Sequence, residues 1–114
     1  YGRFLGARYK DKPIIWILGG DRSISNDAER AIIDAMAAGL TEGDGGTHLK
    51  TFHPIGPGMS SIKLHDAPWL DFNMFQSSHA ARDHDTGLYV ETDYALKPVK
   101  PTLDGEPRYE GIPV

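Results

Sequence analysis

An uninterrupted apolar run, residues 14–18 (IIWIL), restricts the fold of this chain more than any other feature. The run is rich in β-branched residues, and at five positions it has the length of a strand. A strand that is apolar on both faces is typical of a parallel sheet covered by helices on both sides. The polar loop that begins at Gly19-Gly20-Asp21 marks the end of this strand. The run therefore predicts an α/β protein.

Helix-like and strand-like segments alternate along the rest of the chain. Asn26 followed three residues later by Glu29 resembles a capping box and predicts the start of a helix. Gly43-Asp44-Gly45-Gly46 is predicted to form a turn after it. Alternation of this kind gives parallel strands that are joined by right-handed crossovers. The predicted helices are 2–10, 26–40 and 86–96, and the predicted strands are 14–18, 48–53, 70–76 and 102–106.

Two architectures fit this order: an open doubly wound sheet, or a segment of a (β/α)8 TIM barrel. Polar side chains stand at every predicted strand exit, namely Asp21, His53, Gln76 and Glu106. In a barrel the carboxyl ends of the strands converge on one mouth, which favours the barrel. A complete barrel needs about 200–250 residues, whereas this chain has 114. We therefore expect residues 1–114 to be one partial (β/α)8 domain, about half a barrel.

Composition excludes several classes of protein. A formal net charge of −4 argues against a general nucleic-acid binder, which needs a basic face. No apolar run approaches the roughly 20 residues that cross a bilayer, and no basic-then-apolar start indicates a signal peptide. The absence of cysteine excludes disulfides and thiolate metal sites. Because the chain begins with Tyr1, we expect a piece of something longer, and the compartment stays open.

Asp21 and Glu106 are the residues with the clearest catalytic potential. Each follows a glycine at a predicted strand exit, and a glycine there leaves room for a substrate to approach the backbone. Two carboxylates that face each other can split a glycosidic bond, since one protonates the leaving oxygen while the other attacks the anomeric carbon or activates water. The alternative is structural: Asp21 would cap the next segment, and Glu106 would pair with Arg108 or Arg22.

The remaining polar and aromatic residues predict sugar contacts more readily than a metal site. The five histidines match neither His-Glu-x-x-His nor the His-x-His pair of metal-dependent barrels, so no metal ligand is predicted. His53 is the histidine expected to face the mouth, followed by His79. Trp69 and Tyr109 could stack on sugar rings, because aromatic planes bind apolar faces. No Gly-x-Ser-x-Gly elbow offers a serine nucleophile.

Four blocks of sequence resemble the apiosidase-like glycoside hydrolases (family 140 and its relatives), in order and over the whole chain: IIWILGGD at 14–21, TFHP at 51–54, WLDFNMFQSSH at 69–79 and PVKPTLDGEPRYE at 98–110. The resemblance implies a (β/α)8 barrel of which this chain supplies roughly strands four to seven. It also implies hydrolysis of pectin in plant cell walls, without a cofactor, by a bacterial protein of the periplasm or the outside.

The resemblance also assigns roles to residues. It implies that Asp21 is the general acid and Glu106 the nucleophile or base. It implies substrate contacts at His53, Asn73, Gln76 and His79. The expected partner is an oligo- or polysaccharide, and neither a nucleic acid nor a membrane.

Two other functions remain open. One is a non-catalytic carbohydrate-binding or degenerate barrel, and the other is a metal-dependent hydrolase that uses His53, His79 and Asp71. Half a barrel leaves strand edges open, so we expect these residues alone to be inactive and to associate with the rest of the barrel or with themselves.

Overall fold

Helices and strands alternate in the computed structural model, which describes residues 1–78 and 85–111. In chain order the elements are α1 (Gly2–Tyr9), β1 (Trp16–Arg22), α2 (Asp27–Asp44), β2 (Lys50–Pro54), β3 (Gly58–Met59), α3 (Ser61–Leu64), β4 (Asn73–Gln76), α4 (Gly87–Ala95) and β5 (Thr102–Glu106). The predicted helices and strands are all present. The two short elements β3 and α3 lie between the predicted strands 48–53 and 70–76 and were not predicted, because two and four residues leave no periodicity to detect.

The longer strands run parallel. β1 pairs with β2, and β4 pairs with β5, both in parallel register, while β3 adds to β4 in the antiparallel direction. The two sheets meet because the Asp71 amide donates to the Lys50 carbonyl at 2.9 Å and the Thr51 hydroxyl donates to the Phe72 carbonyl at 2.8 Å. The parallel strands therefore follow one another as β1, β2, β4 and β5, which brings their carboxyl ends to one side.

Helix α2 begins where the capping pattern predicts and ends later than predicted. The Asn26 side chain accepts the Glu29 amide at 2.9 Å, and the Glu29 carboxylate accepts the Ser25 amide at 2.7 Å. The predicted turn at Gly43 is wrong: the helix continues through Asp44 and ends at Gly45, whose φ of 74° forms a left-handed cap. No helix within the described residues is both long enough and apolar enough to cross a membrane.

Glycines bring α1 and α2 into close contact. A Cβ on Gly6 would lie 2.5 Å from the Leu40 carbonyl oxygen, and one on Gly43 would lie 2.3 Å from the Arg3 carbonyl oxygen. Gly2 and Gly39 have similarly short distances to the facing helix. Gly43 is therefore part of a helix–helix contact, which explains why a glycine there does not end α2.

One face of the β1–β2 pair is buried against the helices. Leu18 and Phe52 belong to a core that also contains Ala37 and Leu40 of α2. The opposite face of β1 is open, since Ile17 is 56% exposed, although its partner Thr51 on β2 is fully buried. The expectation that the 14–18 strand is buried on both faces is therefore wrong within this chain. Among the described residues, no second layer covers the exposed side of Ile17.

Candidate active site

The backbone at the end of β1 is shaped to present Asp21. Gly19, Gly20 and Asp21 have φ values of 85°, 107° and 51°, so three consecutive residues occupy the left-handed side of conformational space. The pairing with β2 is irregular here, because Gly19 pairs with His53 while Arg22 pairs with Pro54. Gly20 and Asp21 thus form a bulge. A bulge changes the direction of a side chain at the end of a strand. Two of the three residues here are glycines, which adopt positive φ values at little steric cost.

Glu106 reaches the same side through a second bulge. Phe75 pairs with Asp104 and Gln76 pairs with Glu106, which leaves Gly105 as the extra residue. Strict alternation would put Glu106 on the face of Asp104, but one extra residue turns it to the opposite face. Gly105 permits this because a Cβ there would lie 2.4 Å from the Met74 sulfur. Both carboxylates therefore follow a bulged glycine at the end of a parallel strand.

The two carboxylates and one histidine form a compact cluster. One oxygen of Asp21, one oxygen of Glu106 and one ring nitrogen of His53 all lie within 4.8 Å of one another. His53 Nε2 is 3.3 Å from Glu106 Oε2, and His53 Nδ1 is 4.0 Å from Asp21 Oδ1. The Asp21 side chain is 65% exposed, whereas those of His53 and Glu106 are 16% and 15% exposed. We call these three residues the carboxylate cluster.

The ring of His53 is held by its own backbone neighbour. Its Nδ1 lies 3.0 Å from the Pro54 carbonyl oxygen. A carbonyl oxygen only accepts, so Nδ1 carries a hydrogen and donates to it. Nε2 is thereby directed at Glu106.

Two further side chains donate to Glu106. Gln76 Nε2 donates to Oε2 at 2.8 Å, and the Tyr109 hydroxyl donates to Oε1. The hydrogen bond to Glu106 raises the pKa of Tyr109, with smaller contributions from desolvation and from the charges of Glu106 and Asp21. Tyr109 therefore keeps its proton and remains a donor. Hydrogen bonds to a charged carboxylate favour its charged form and fix its orientation.

Comparison with known proteins identifies the family of the chain. The family model for the apiosidase-like catalytic domain matches residues 1–114. The chain belongs to the apiosidase-like family. The resemblance noted from the sequence is thus confirmed.

Solved structures agree with this family. A glycoside hydrolase family 5 protein from Bacteroides vulgatus ATCC 8482 is 45% identical with a TM-score of 0.86, and the match covers 99% of this chain and 27% of that one. A second structure, a glycoside hydrolase, is 46% identical with a TM-score of 0.83, and this match covers 99% of this chain and 28% of that one. This apiosidase-like chain therefore spans little more than a quarter of the length of these structures. No curated protein sequence matches it.

Besides His53, two of the predicted substrate contacts lie at the carboxylate cluster, two lie elsewhere, and one is not described. Gln76 and Tyr109 of this apiosidase-like chain contact Glu106, as described above. Asn73 and Trp69 do not reach the carboxylate cluster. His79 lies outside the described residues.

Asn73 and Trp69 face the helices instead. Asn73 is fully buried at the opposite end of β4 from Gln76, and its amide group contacts His65 Nδ1 at 3.2 Å. Side chains alternate between the two faces of a strand, so Asn73 and Gln76, which are three positions apart, point to opposite faces. The indole of Trp69 donates to Asp34 of α2 at 2.6 Å. Asn73 and Trp69 are therefore placed away from the carboxylate cluster, and their sugar contacts stay predictions.

Of the metal ligands that the sequence left open, the two with described positions, Asp71 and His53, are not brought together. Asp71 precedes β4, and its carboxylate accepts the Lys50 amide at 2.7 Å. Lys50 begins β2 whereas His53 lies near its end. Asp71 therefore binds backbone at the wrong end of the strand to share a metal with His53.

One residue that supports the cluster, Gly56, was not among the predicted site residues. Gly56 lies against Gln76, and a Cβ on it would be 2.8 Å from Gln76 Cδ. Gly56 therefore allows the segment after β2 to lie close to Gln76. The Gly56-Pro57 dipeptide is the available sequence signal, but by itself it indicates only a turn.

A cleft borders the exposed side of the cluster. It has a volume of about 430 Å³, and Asp21 and Glu29 contribute carboxylates to its wall. Ile32, Ile33 and Ile55 contribute apolar side chains to its lining. A cleft with a few polar groups on an apolar wall is typical of a small-molecule site.

Proposed function

We propose that the chain carries the catalytic centre of a glycoside hydrolase that cleaves a glycosidic bond in a pectin-type plant cell-wall polysaccharide. The observation that supports this most is that Asp21, near the end of β1, and Glu106, at the end of β5, place carboxylate oxygens within 4.8 Å of each other although they lie 85 positions apart in the sequence. Paired carboxylates are the usual equipment for this reaction. Membership of the apiosidase-like family supports the same chemistry.

The two carboxylates take different roles because their surroundings differ. Glu106 is enclosed and accepts hydrogen bonds from Gln76 and Tyr109, which favour a fixed and charged carboxylate. We assign Glu106 as the nucleophile. Asp21 is exposed on a bulge, where it can approach the oxygen of a departing sugar. We assign Asp21 as the acid that protonates the leaving group and then as the base that activates water.

The separation of the carboxylates favours retention of configuration. Retaining enzymes hold the two groups about 5–5.5 Å apart, whereas inverting enzymes need about 6.5–9.5 Å to fit a water molecule. One oxygen of each carboxylate lies within 4.8 Å of the other, which is closer to the retaining than to the inverting separation. The proposed reaction therefore passes through a sugar covalently bound to Glu106.

We further propose that residues 1–114 form about half of a (β/α)8 barrel, corresponding to strands four to seven. The parallel order β1, β2, β4 and β5, with functional side chains at the carboxyl ends, supports this. The remaining strands, an oligo- or polysaccharide substrate and a periplasmic or extracellular location in a bacterium complete the proposal. His79 remains a proposed substrate contact.

Two substitutions in the full-length protein test this assignment on pectic oligosaccharides. Glu106→Gln removes the nucleophile, so hydrolysis should fall below detection while oligosaccharide binding persists. Asp21→Asn removes the acid, so kcat/KM should fall about 10²–10⁴-fold. That loss should be much smaller on an aryl glycoside of the same sugar, since a good leaving group needs no protonation.

Glu91→Gln is a matched control, because Glu91 is an exposed carboxylate on α4. It should hydrolyse at the parental rate. Unchanged turnover in Glu106→Gln would remove Glu106 from the mechanism. Oligosaccharide binding without hydrolysis in the parent protein would instead favour the non-catalytic carbohydrate-binding alternative.

A further inference from the structure

The carboxylate cluster has the donor set of a transition-metal site. It offers one imidazole nitrogen, from His53, and carboxylate oxygens from Asp21 and Glu106. Zn²⁺ binds histidine nitrogen and carboxylate oxygen, whereas Mg²⁺ and Ca²⁺ prefer oxygen alone. We propose that Zn²⁺, or a divalent cation of similar chemistry, binds reversibly to Asp21, His53 and Glu106 and thereby blocks hydrolysis. This inhibitory role rests on the proposed function, whereas the binding site itself does not.

The distance between two of the ligand atoms already suits zinc. Bonds of about 2.0–2.1 Å in a tetrahedral site place neighbouring ligand atoms about 3.3–3.4 Å apart. His53 Nε2 and Glu106 Oε2 are 3.3 Å apart. The third ligand, Asp21, must move closer, and its exposed side chain can do so. An open position would remain for water.

The groups behind these ligands provide an independent reason for the proposal. A histidine that binds a metal usually donates its other ring N–H to a carbonyl or carboxylate, which directs the free nitrogen at the metal. His53 Nδ1 makes this bond with the Pro54 carbonyl at 3.0 Å. Ligating carboxylates are likewise held by hydrogen bonds. Gln76 holds Glu106 in this way at 2.8 Å.

Bound zinc would oppose catalysis through the same atoms. A metal bond to Glu106 occupies the oxygen that would attack the sugar, and a bond to Asp21 prevents it from carrying a proton. Zinc and substrate should therefore compete for one site. This differs from a metal-dependent hydrolase, in which removal of the metal abolishes activity.

Equilibrium dialysis of the full-length protein against ZnCl₂ tests the site without reference to activity. We expect the parent protein to bind one zinc ion per chain. The zinc affinity of Glu106→Gln and of His53→Phe should each be at least tenfold lower. Glu91→Gln should bind as the parent does, and MgCl₂ should not displace the zinc. Two variants are needed because His53→Phe alone could disturb folding, which circular dichroism would show. Zinc binding that survives in both folded variants, or no stoichiometric binding, would overturn the proposal.

Hydrolysis assays separate this inference from the proposed function. We expect zinc to raise KM without changing kcat, and a chelator to restore the metal-free rate. If hydrolysis depends on Glu106 but zinc neither binds nor inhibits, the metal proposal falls and the proposed function stands. If hydrolysis is lost in chelator and returns with zinc, the inhibitory role is wrong. If zinc binds to a protein that hydrolyses no sugar, the site stands without the function.

Discussion

At the scale of single residues, a buried hydrogen-bond network holds the beginning of β1, at the opposite end of the strand from Asp21. Asp44 is buried at the end of α2, where its carboxylate accepts hydrogen bonds from Trp16 Nε1 at 2.8 Å, the Gly46 amide at 2.7 Å and His48 Nδ1 at 3.0 Å. Burial alone would raise the pKa of Asp44, but these bonds and the charge of Lys50 outweigh it and lower the pKa. Asp44 thus ties α2 to β1 as a charged group.

This lowered pKa predicts a loss of stability in acid. Because the folded pKa lies below the ordinary value of 3.8, the stabilisation is complete above that value and disappears as pH falls through the folded pKa. Asp44→Asn should lower the free energy of unfolding at neutral pH by about 1–3 kcal/mol. The difference from the parent should shrink as the pH falls below 4 in urea titrations. The exposed carboxylate variant Asp11→Asn is the control, and a pH-independent difference would contradict this account.

At the scale of elements, the contact between α1 and α2 depends on the absence of side chains. Helix propensity alone predicts that Gly43→Ala stabilises α2 by about 0.8–1 kcal/mol. The added Cβ would lie 2.3 Å from the Arg3 carbonyl oxygen, so the helices must separate. We expect a net destabilisation of about 1–3 kcal/mol, measured by urea unfolding of the full-length protein. Glu42→Ala removes only an exposed ion pair with Arg3 of α1 and should change stability by less than about 1 kcal/mol. A more stable Gly43→Ala variant would refute the packing argument.

The same glycines show why the sequence predicts some of the elements and misplaces others. The start of α2 follows from local chemistry, since Asn26 and Glu29 cap the helix through their own side chains. The end of α2 does not follow from local chemistry, because two glycines there have different roles. Gly43 packs against α1, whereas Gly45 adopts the left-handed conformation that caps the helix. Only the tertiary contact distinguishes them.

The candidate site was predictable in its members and less so in its geometry. Asp21, His53 and Glu106 were predicted because each lies at the end of a predicted strand, and parallel strands bring their carboxyl ends together. Period-two alternation could not place Glu106, whose face depends on the bulge at Gly105. It also could not show that the Asn73 amide contacts the ring of His65, eight residues earlier in the sequence.

At the scale of the whole molecule, an exposed apolar sheet face calls for a partner. Ile17 is 56% exposed and Leu103 is 50% exposed, although both lie within strands. Within the described residues, β1 pairs only with β2, and β5 pairs only with β4, so each has an open edge. Open edges next to apolar surface favour association with another sheet. In the proposed barrel, the remaining strands would cover these positions.

This surface predicts how residues 1–114 behave when they are produced alone. We expect no hydrolysis and a sedimentation coefficient that rises with protein concentration, because copies pair through the open face. Ile17→Ser should reduce the association, since it removes apolar surface from that face. Leu88→Ser, at 57% exposure on helix α4, removes a comparable side chain elsewhere and should leave the association unchanged. A monomer at all concentrations that hydrolyses sugar would show that these residues are complete without further strands.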